Sequence, residues 1–286
     1  MSFLVTLVAS TTPLTAAHVA ALDLRAVPHW MAVGKAVDIP VHEKPTHAQI
    51  AAWRVLLGPD KIDVFVTSSE NRVKKLMLSD MDSTIVAEET LDEVAAAVGL
   101  GEVISALTAR SMRGELEFED TLRARVEMLK DTPAAVLTKI RDNVTYNPGA
   151  HELVAGMRAQ GAPAVLVSGG FTYFSGHIAE ATGFDFHHAN VLEILNGLLT
   201  GQVIPPILGK NTKREILEEY CERLSLTPAD VFAIGDGAND LPMLQTAGLG
   251  IGYRPKPLLL EALDNCIIHG DLTAALYAQG LTPTTM

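Results

Sequence analysis

The sequence predicts an α/β fold: a doubly wound parallel sheet with a helical cap insertion, preceded by a small N-terminal α+β domain. Three observations point there. Short apolar runs end repeatedly in polar residues, as in LMLSDMDST, AVLVSGG and VFAIGDG, with helical stretches between them. Residues 90–146 carry helical patterns and no strand. The charge balance also breaks near residue 75: residues 1–75 hold 8 basic and 6 acidic side chains, residues 76–286 hold 14 and 28. Strands alternating with helices imply a parallel sheet, and such sheets bind ligands off the carboxyl ends of their strands. The polar clusters should therefore meet in one crevice.

In order along the chain, residues 3–8 (FLVTLV) and 61–67 (KIDVFVT) read as strands, with a third at Ala36 to Val41. Leu14 to Leu24 and Thr46 to Leu57 read as helices, the second opened by Thr46 after Pro45. These form a domain over 1–72, expected to be regulatory or dimerising, so that a homodimer is one expectation. The polar stretch SSENRVKK, Ser68 to Lys75, marks the junction. His29 beside Trp30, and His42 and His47 around Glu43, read as scattered histidines and not as ligands.

Residues 73–286 form the second unit, with the cap at about 88–146. Its strands are Leu76 to Leu78, Ala164 to Val167 and Val231 to Ile234. Its helices are Ala150 to Gln160, Ser175 to Thr182 and Lys213 to Leu224, and the cap contributes Leu91 to Val98 and Phe118 to Leu129. Apolar residues on both sides of Asn196-Gly197 signal a hairpin, expected beside the main sheet.

Composition removes several functions. With 22 Lys+Arg against 34 Asp+Glu, the 286-residue chain has a formal net charge of −12, without the basic footprint of a nucleic-acid binder. No apolar run has the length of a membrane span, and Val5 to Val8 reads as a strand better than as a signal peptide. The expectation is a cytoplasmic protein with neither nucleic acid nor membrane as partner. Cys221 and Cys266 lack CxxC or histidine spacing, so they read as buried thiols.

The chemistry lies at the strand ends. Asp80 and Asp82 flank Met81, and two carboxylates that close need a cation or a shared proton. The other ends add Ser168, Lys213, Asp236 and Asp240, which together offer a nucleophile, an acid/base, a hydroxyl donor, a cation and metal-binding carboxylates. By residue type alone, Ser168 also reads as a helix cap and Lys213 as a surface lysine, with Lys210 as its competitor. Glu88, Glu89, Arg123 and Arg125 also read as exposed helix charges.

DMDST, VSGGF, Lys213 and GDGAND, in this order, resemble the four motifs of the haloacid dehalogenase superfamily of phosphotransferases. More narrowly, VAEETLDEVA, FEDTLRARVEMLK and GDGANDLPML resemble the phosphoserine phosphatases within it, over about residues 76–275. The resemblance implies Mg²⁺-dependent hydrolysis of O-phospho-L-serine, a small-molecule phosphomonoester, to L-serine and phosphate, the last step of phosphorylated serine synthesis. The runner-up is a related phosphatase or phosphotransferase acting on phosphohomoserine or phosphothreonine.

It further implies roles. Asp80 would be the nucleophile that forms an aspartyl phosphate, and Asp82 the general acid and then base. Magnesium would be held by Asp80, the backbone carbonyl of Asp82 and Asp236, an all-oxygen set, with Asp240 ordering that shell. Ser168, the Gly169 N–H and Lys213 would hold phosphate oxygens, with Asn239 on the substrate side. Glu89 would take the substrate ammonium and Arg125 its carboxylate, for which a planar fork is suited. Met112 and Phe118 resemble apolar cap residues that shield the site. A dehalogenase would not need such a metal site, and a non-catalytic binder would have lost a motif residue, whereas none is missing. The first 75 residues loosely resemble the amino-acid-binding domains attached to some of these phosphatases, although no glycine-rich loop supports that reading.

Overall fold

The computed structural model describes residues 2–112, 116–209 and 211–283. The chain builds two sheets. The first is antiparallel, from β1 (Phe3–Ala9), β2 (His29–Ala32), β3 (Ala36–Val41) and β4 (Ile62–Ser68), in the order β2-β3-β1-β4. Helix α1 (Ala16–Ala20) and helix α2 (His47–Leu57) connect them. The expected helix over 14–24 shrinks to α1, and β2, unforeseen, fills the space ahead of β3. Helix α2 begins where Thr46 accepts the Gln49 N–H while Gln49 returns a bond to the Thr46 N–H at 2.8 Å, a capping box. Its buried Ile50, Trp53 and Leu57 recur at helical spacing and pack with Val5, Leu7, Val64 and Val66.

The second sheet has seven strands: β5 (Leu76–Ser79), β6 (Ala164–Phe171), β7 (Phe186–Leu195), β8 (Leu198–Ile204), β9 (Val231–Gly235), β10 (Leu249–Tyr253) and β11 (Cys266–Ile267). Their order is β11-β10-β9-β5-β6-β7-β8. All neighbours are parallel except β7 and β8. From β5 the chain winds out one way through β6 and β7, then returns to the other side through β9, β10 and β11, which is the doubly wound topology expected.

Both faces of this sheet are covered, and side chains alternate between them. Leu76, Leu78, Val165, Val167, Val231 and Ala233 enter one core, against Ile216, Leu217 and Tyr220 of α9 (Thr212–Arg223) and Met243 and Leu244 of α10 (Leu241–Thr246). Met77, Leu166, Phe232 and Ile234 enter the other, against α7 (Ala150–Ala159), α8 (Thr172–Thr182) and α12 (Ala274–Ala278). Helix α11 (Pro257–Ala262) adds Leu259 to the first core.

Between β5 and α7 lie four helices, α3 (Thr90–Ala97), α4 (Gly101–Met112), α5 (Phe118–Met128) and α6 (Ala134–Arg141). Leu91, Val94, Ile104, Leu122, Val126 and Leu137 join them into the same core as Met77. Two expectations need correction. The Asn196-Gly197 hairpin does not lie beside the main sheet: β7 pairs with β6, so the hairpin is the sheet's own edge. Nor does the strand at 164 stop at Val167. It continues to Phe171 through a break in register, so Ser168 does not cap a helix; the residue preceding α8 is Phe171.

The first sheet is not tethered by a free linker. Val8, Ala36 and Phe65 share a core with Met77 and Leu272. Across the same boundary, Asp63 accepts the N–H groups of Ile268, His269 and Gly270. Arg72 grips both Asp38 oxygens at 2.6 and 2.7 Å and donates to the carbonyls of Tyr277 and Ala278. Both cysteines are free and buried, and no described helix is long and apolar enough to cross a membrane.

Candidate active site

Asp80 follows β5 directly, and its N–H bonds to the Ile234 carbonyl on β9, so the neighbouring strand fixes where the carboxylate stands. The chain then turns sharply: Ser83 sits at φ 55°, and the N–H groups of Ile85 and Val86 return to the Met81 carbonyl. This turn holds Asp82 beside Asp80 and sends the chain toward α3.

Beyond β9, the loop GDGAND closes on itself. One oxygen of Asp240 accepts the N–H groups of Asp236 at 3.1 Å and Gly237 at 3.0 Å. A Cβ on Gly235 would overlap the Asp240 carboxyl, so only glycine fits there. The other oxygen of Asp240 lies 2.5 Å from the Lys213 ammonium, which is also 2.5 Å from Asp80 Oδ1. Lys213 is the second residue of α9 and is buried, not a surface lysine.

Asp80, Asp236 and Asp240 can each bring one carboxylate oxygen within 4.8 Å of the others. Three carboxylates facing two ammonium groups, Lys213 and Lys256, leave negative charge uncompensated. The donors are all oxygen, a set that fits a hard divalent cation. Both oxygens of Asp240 are already engaged, so Asp80 and Asp236 are the freer ligands. Burial and the Asp240 charge push the Asp80 carboxyl well above its usual range, with Lys213 opposing. In Lys213, burial alone would lower the proton affinity, but Asp240 and Asp80 outweigh it and raise it. Asp236 is raised by burial, against the pull of Lys256.

Asp82 has different surroundings. Its Oδ1 accepts the Thr90 N–H at 2.9 Å, and its Oδ2 accepts the Ser168 hydroxyl at 3.2 Å. Burial, and then the charge of Glu89, raises its pKa to about 6, which suits a group that both gives and takes a proton near neutrality. Ser168 Oγ in turn accepts the Gly170 N–H at 2.8 Å.

Ser168, Gly169, Lys213 and Asn239 line one crevice of about 50 Å³ with Phe118 and Thr212. Phe118, from the inserted helices, would touch a Cβ on Gly169 at 3.4 Å, so it stands directly over the strand end. The Met112 side chain and Lys210 lie outside the described residues.

The pair expected at the ammonium and carboxylate ends sits at the base of the inserted helices. Glu89 immediately precedes α3, accepts the Ser83 hydroxyl at 2.9 Å and lies 3.6 Å from Lys256. Arg125 donates to Asp92 at 2.6 Å, while its buried Nε has no partner among the described residues. The competitors are elsewhere: Glu88 accepts the Thr145 N–H, and Arg123 is exposed.

Two residues escaped the sequence reading. Lys256 lies 2.9 Å from Asp236, just beyond β10; reading GLGIGY as a strand would have found it by the same strand-end rule. Asp92, the partner of Arg125, carried no local signal.

Comparison with known proteins adds the lineage. A curated phosphoserine phosphatase of Archaeoglobus fulgidus is 42% identical over 205 residues, which are 72% of this chain and 60% of that protein. The chain spans 59–64% of the length of the first curated relatives it matches. Among solved structures, a haloacid dehalogenase family hydrolase from Salmonella enterica serovar Typhi superposes with a TM-score of 0.88 at 27% identity, over 97% of this chain and 98% of that one. A phospho-aspartyl intermediate analogue of a phosphoserine phosphatase superposes with a TM-score of 0.68 at 40% identity, over 73% and 99%. Residues 77–245 match the haloacid dehalogenase-like hydrolase family, a span holding Asp80, Asp82, Ser168, Lys213, Asp236 and Asp240 together, and the chain belongs to that family.

Proposed function

We propose that the chain hydrolyses O-phospho-L-serine to L-serine and phosphate through a phosphoaspartate at Asp80. The observation that carries this reading is the arrangement at the end of β5: a buried carboxylate held by Lys213, with a second carboxylate, Asp82, poised near neutral pH two residues on. Relatives named phosphoserine phosphatase, 42% identical for the one from Archaeoglobus fulgidus, support the substrate.

An oxygen of Asp80 attacks phosphorus as the serine oxygen leaves, and protonated Asp82 gives that oxygen its proton. Water then attacks the phosphoaspartate, Asp82 takes the proton back, and phosphate departs with the Asp80 carboxylate restored. Ser168, the Gly169 N–H and Lys213 hold the phosphoryl oxygens, and Asn239 lies on the substrate side. Asp80 and Asp236, together with the Asp82 carbonyl, would hold Mg²⁺, which when bound offsets the repulsion between the Asp80 carboxylate and the phosphate dianion; Asp240 orders this shell.

Glu89 takes the substrate ammonium. Arg125, whose Nε has no partner among the described residues, takes the carboxylate, and Asp92 holds its other arm. We read residues 1–72 as a small domain and 73–286 as the phosphatase domain, with the helices over about 88–146 as the cap that excludes water. A substrate panel tests the reading: kcat/KM for phosphoserine should exceed that for phosphothreonine and phosphohomoserine, and equal values would defeat phosphoserine as the preferred substrate.

A further inference from the structure

Away from the strand ends, a second cavity, of about 210 Å³, lies between β4 of the first sheet and the start of β10 in the second. That is many times the roughly 10–15 Å³ that one water needs, so an organic anion of several heavy atoms can enter. Its charged lining is cationic, from Lys44, Arg72 and Lys74, and among the described residues none that lines it is acidic.

Two of these cations are already neutralised. Arg72 holds Asp38, and Lys44 lies 2.7 Å from Asp264. Lys74 differs. It is buried, and its ammonium donates to the carbonyls of Asn71 at 2.7 Å and Ala229 at 2.8 Å. Among the described residues it has no carboxylate within ion-pair distance, and the carboxylate acting on it most, Asp230, is held by Lys75 at 2.9 Å. Burial accordingly lowers the proton affinity of Lys74.

Thr67, also lining the cavity, has a buried hydroxyl without a partner among the described residues. A buried cation without a counter-ion and a buried hydroxyl without a bond both carry desolvation costs. A single ligand with negative oxygens would relieve both.

We propose that the cavity between β4 and β10 is a binding site for a small anion with two or more negatively charged oxygens and no positive charge, held chiefly by Lys74 and Thr67. A zwitterion such as an amino acid is disfavoured, because its ammonium would face three cations and, among the described residues, no lining carboxylate. The bound anion bridges the two sheets and strengthens their docking.

Thermal unfolding in magnesium-free buffer at matched ionic strength tests this, with inorganic phosphate, malonate or L-serine as the probe. A ligand bound only by the native state raises Tm, and occupancy at tenfold its Kd raises it by about 3 °C. Phosphate, malonate or both should do so in the wild type and in Ser168→Ala, whose change lies in the other crevice. The rise should disappear in Lys74→Gln and in Thr67→Val, and Thr67→Val should be no less stable than wild type without anion, since it removes an unbonded hydroxyl. Thr67→Val is nearly isosteric and carries the test should Lys74→Gln fold poorly. An unchanged rise in Thr67→Val, a rise lost only in Ser168→Ala, or an equal rise with L-serine would overturn the proposal.

Discussion

Lys213 and Asp80 meet at 2.5 Å in a buried site, and the same ammonium lies equally close to Asp240. One cation thus ties the end of β5 to the loop after β9. Lys213→Met strands two buried carboxylates, so stability should fall by about 3–5 kcal/mol and kcat by about 10²–10³. Arginine should not rescue it, because a planar guanidinium does not fit where a compact ammonium sits between two carboxylates. Urea unfolding and kcat measured on the same preparations check both numbers.

Asp80→Asn keeps the shape and one oxygen for Lys213 but removes the proposed nucleophile. Turnover should drop by on the order of 10⁴ or more, with Tm within a few degrees of wild type because burial already disfavours the charge at this position. Quenched-flow trapping should find labelled phosphoryl on wild-type protein and none on the variant. Trapping at an unchanged level would place the nucleophile elsewhere.

Gly235→Ala adds one methyl where Asp240 stands. Asp240 cannot yield without releasing two backbone N–H groups and Lys213. The variant should lose about 1–3 kcal/mol of stability and at least tenfold in kcat, although the added group reaches no substrate. A kcat equal to wild type would show that the loop tolerates displacement of Asp240.

Burial pushes the Cys266 thiol up to about 11 and raises that of Cys221. The folded protein should therefore resist thiol-modifying reagents at pH 8, reacting only on unfolding. The stability consequence has a definite sign. Between about pH 9 and 11 the unfolded thiol has lost its proton while the folded one retains it, so the native state binds more protons and stability falls as pH rises. Cys266→Ser should flatten that part of the stability profile.

The strand ends were legible because buried parallel strands are unbroken apolar runs, so the first polar residue after each marks the edge of the sheet. Asp80, Ser168, Lys213, Asp236 and Asp240 could all be placed in this way or by motif. What escaped lacked that contrast. Strand β2 is short and half-exposed, β11 has two residues, and β10 reads LGIGY, where glycines imitate a turn. Losing β10 also hid Lys256. Arg125 and Asp92, 33 positions apart, join α5 to α3, a relation that only tertiary packing creates. The misjudged end of β6 arose because Ser168-Gly169-Gly170 looks like a turn, whereas the register break lets it remain strand.

The boundary between the sheets bears on how this chain is made. Residues 3–68 can pair into their own sheet as soon as they are synthesised, but Asp63 receives its three N–H groups from residues 268–270, and Arg72 two of its carbonyls from 277 and 278. Until some 200 further residues have left the ribosome, the face carrying Asp63 and Phe65 waits uncovered, an aggregation-prone interval. Residues 268–278 act as a clasp, and a protein truncated before residue 265 would retain every motif residue from Asp80 to Asp240 yet leave that clasp open.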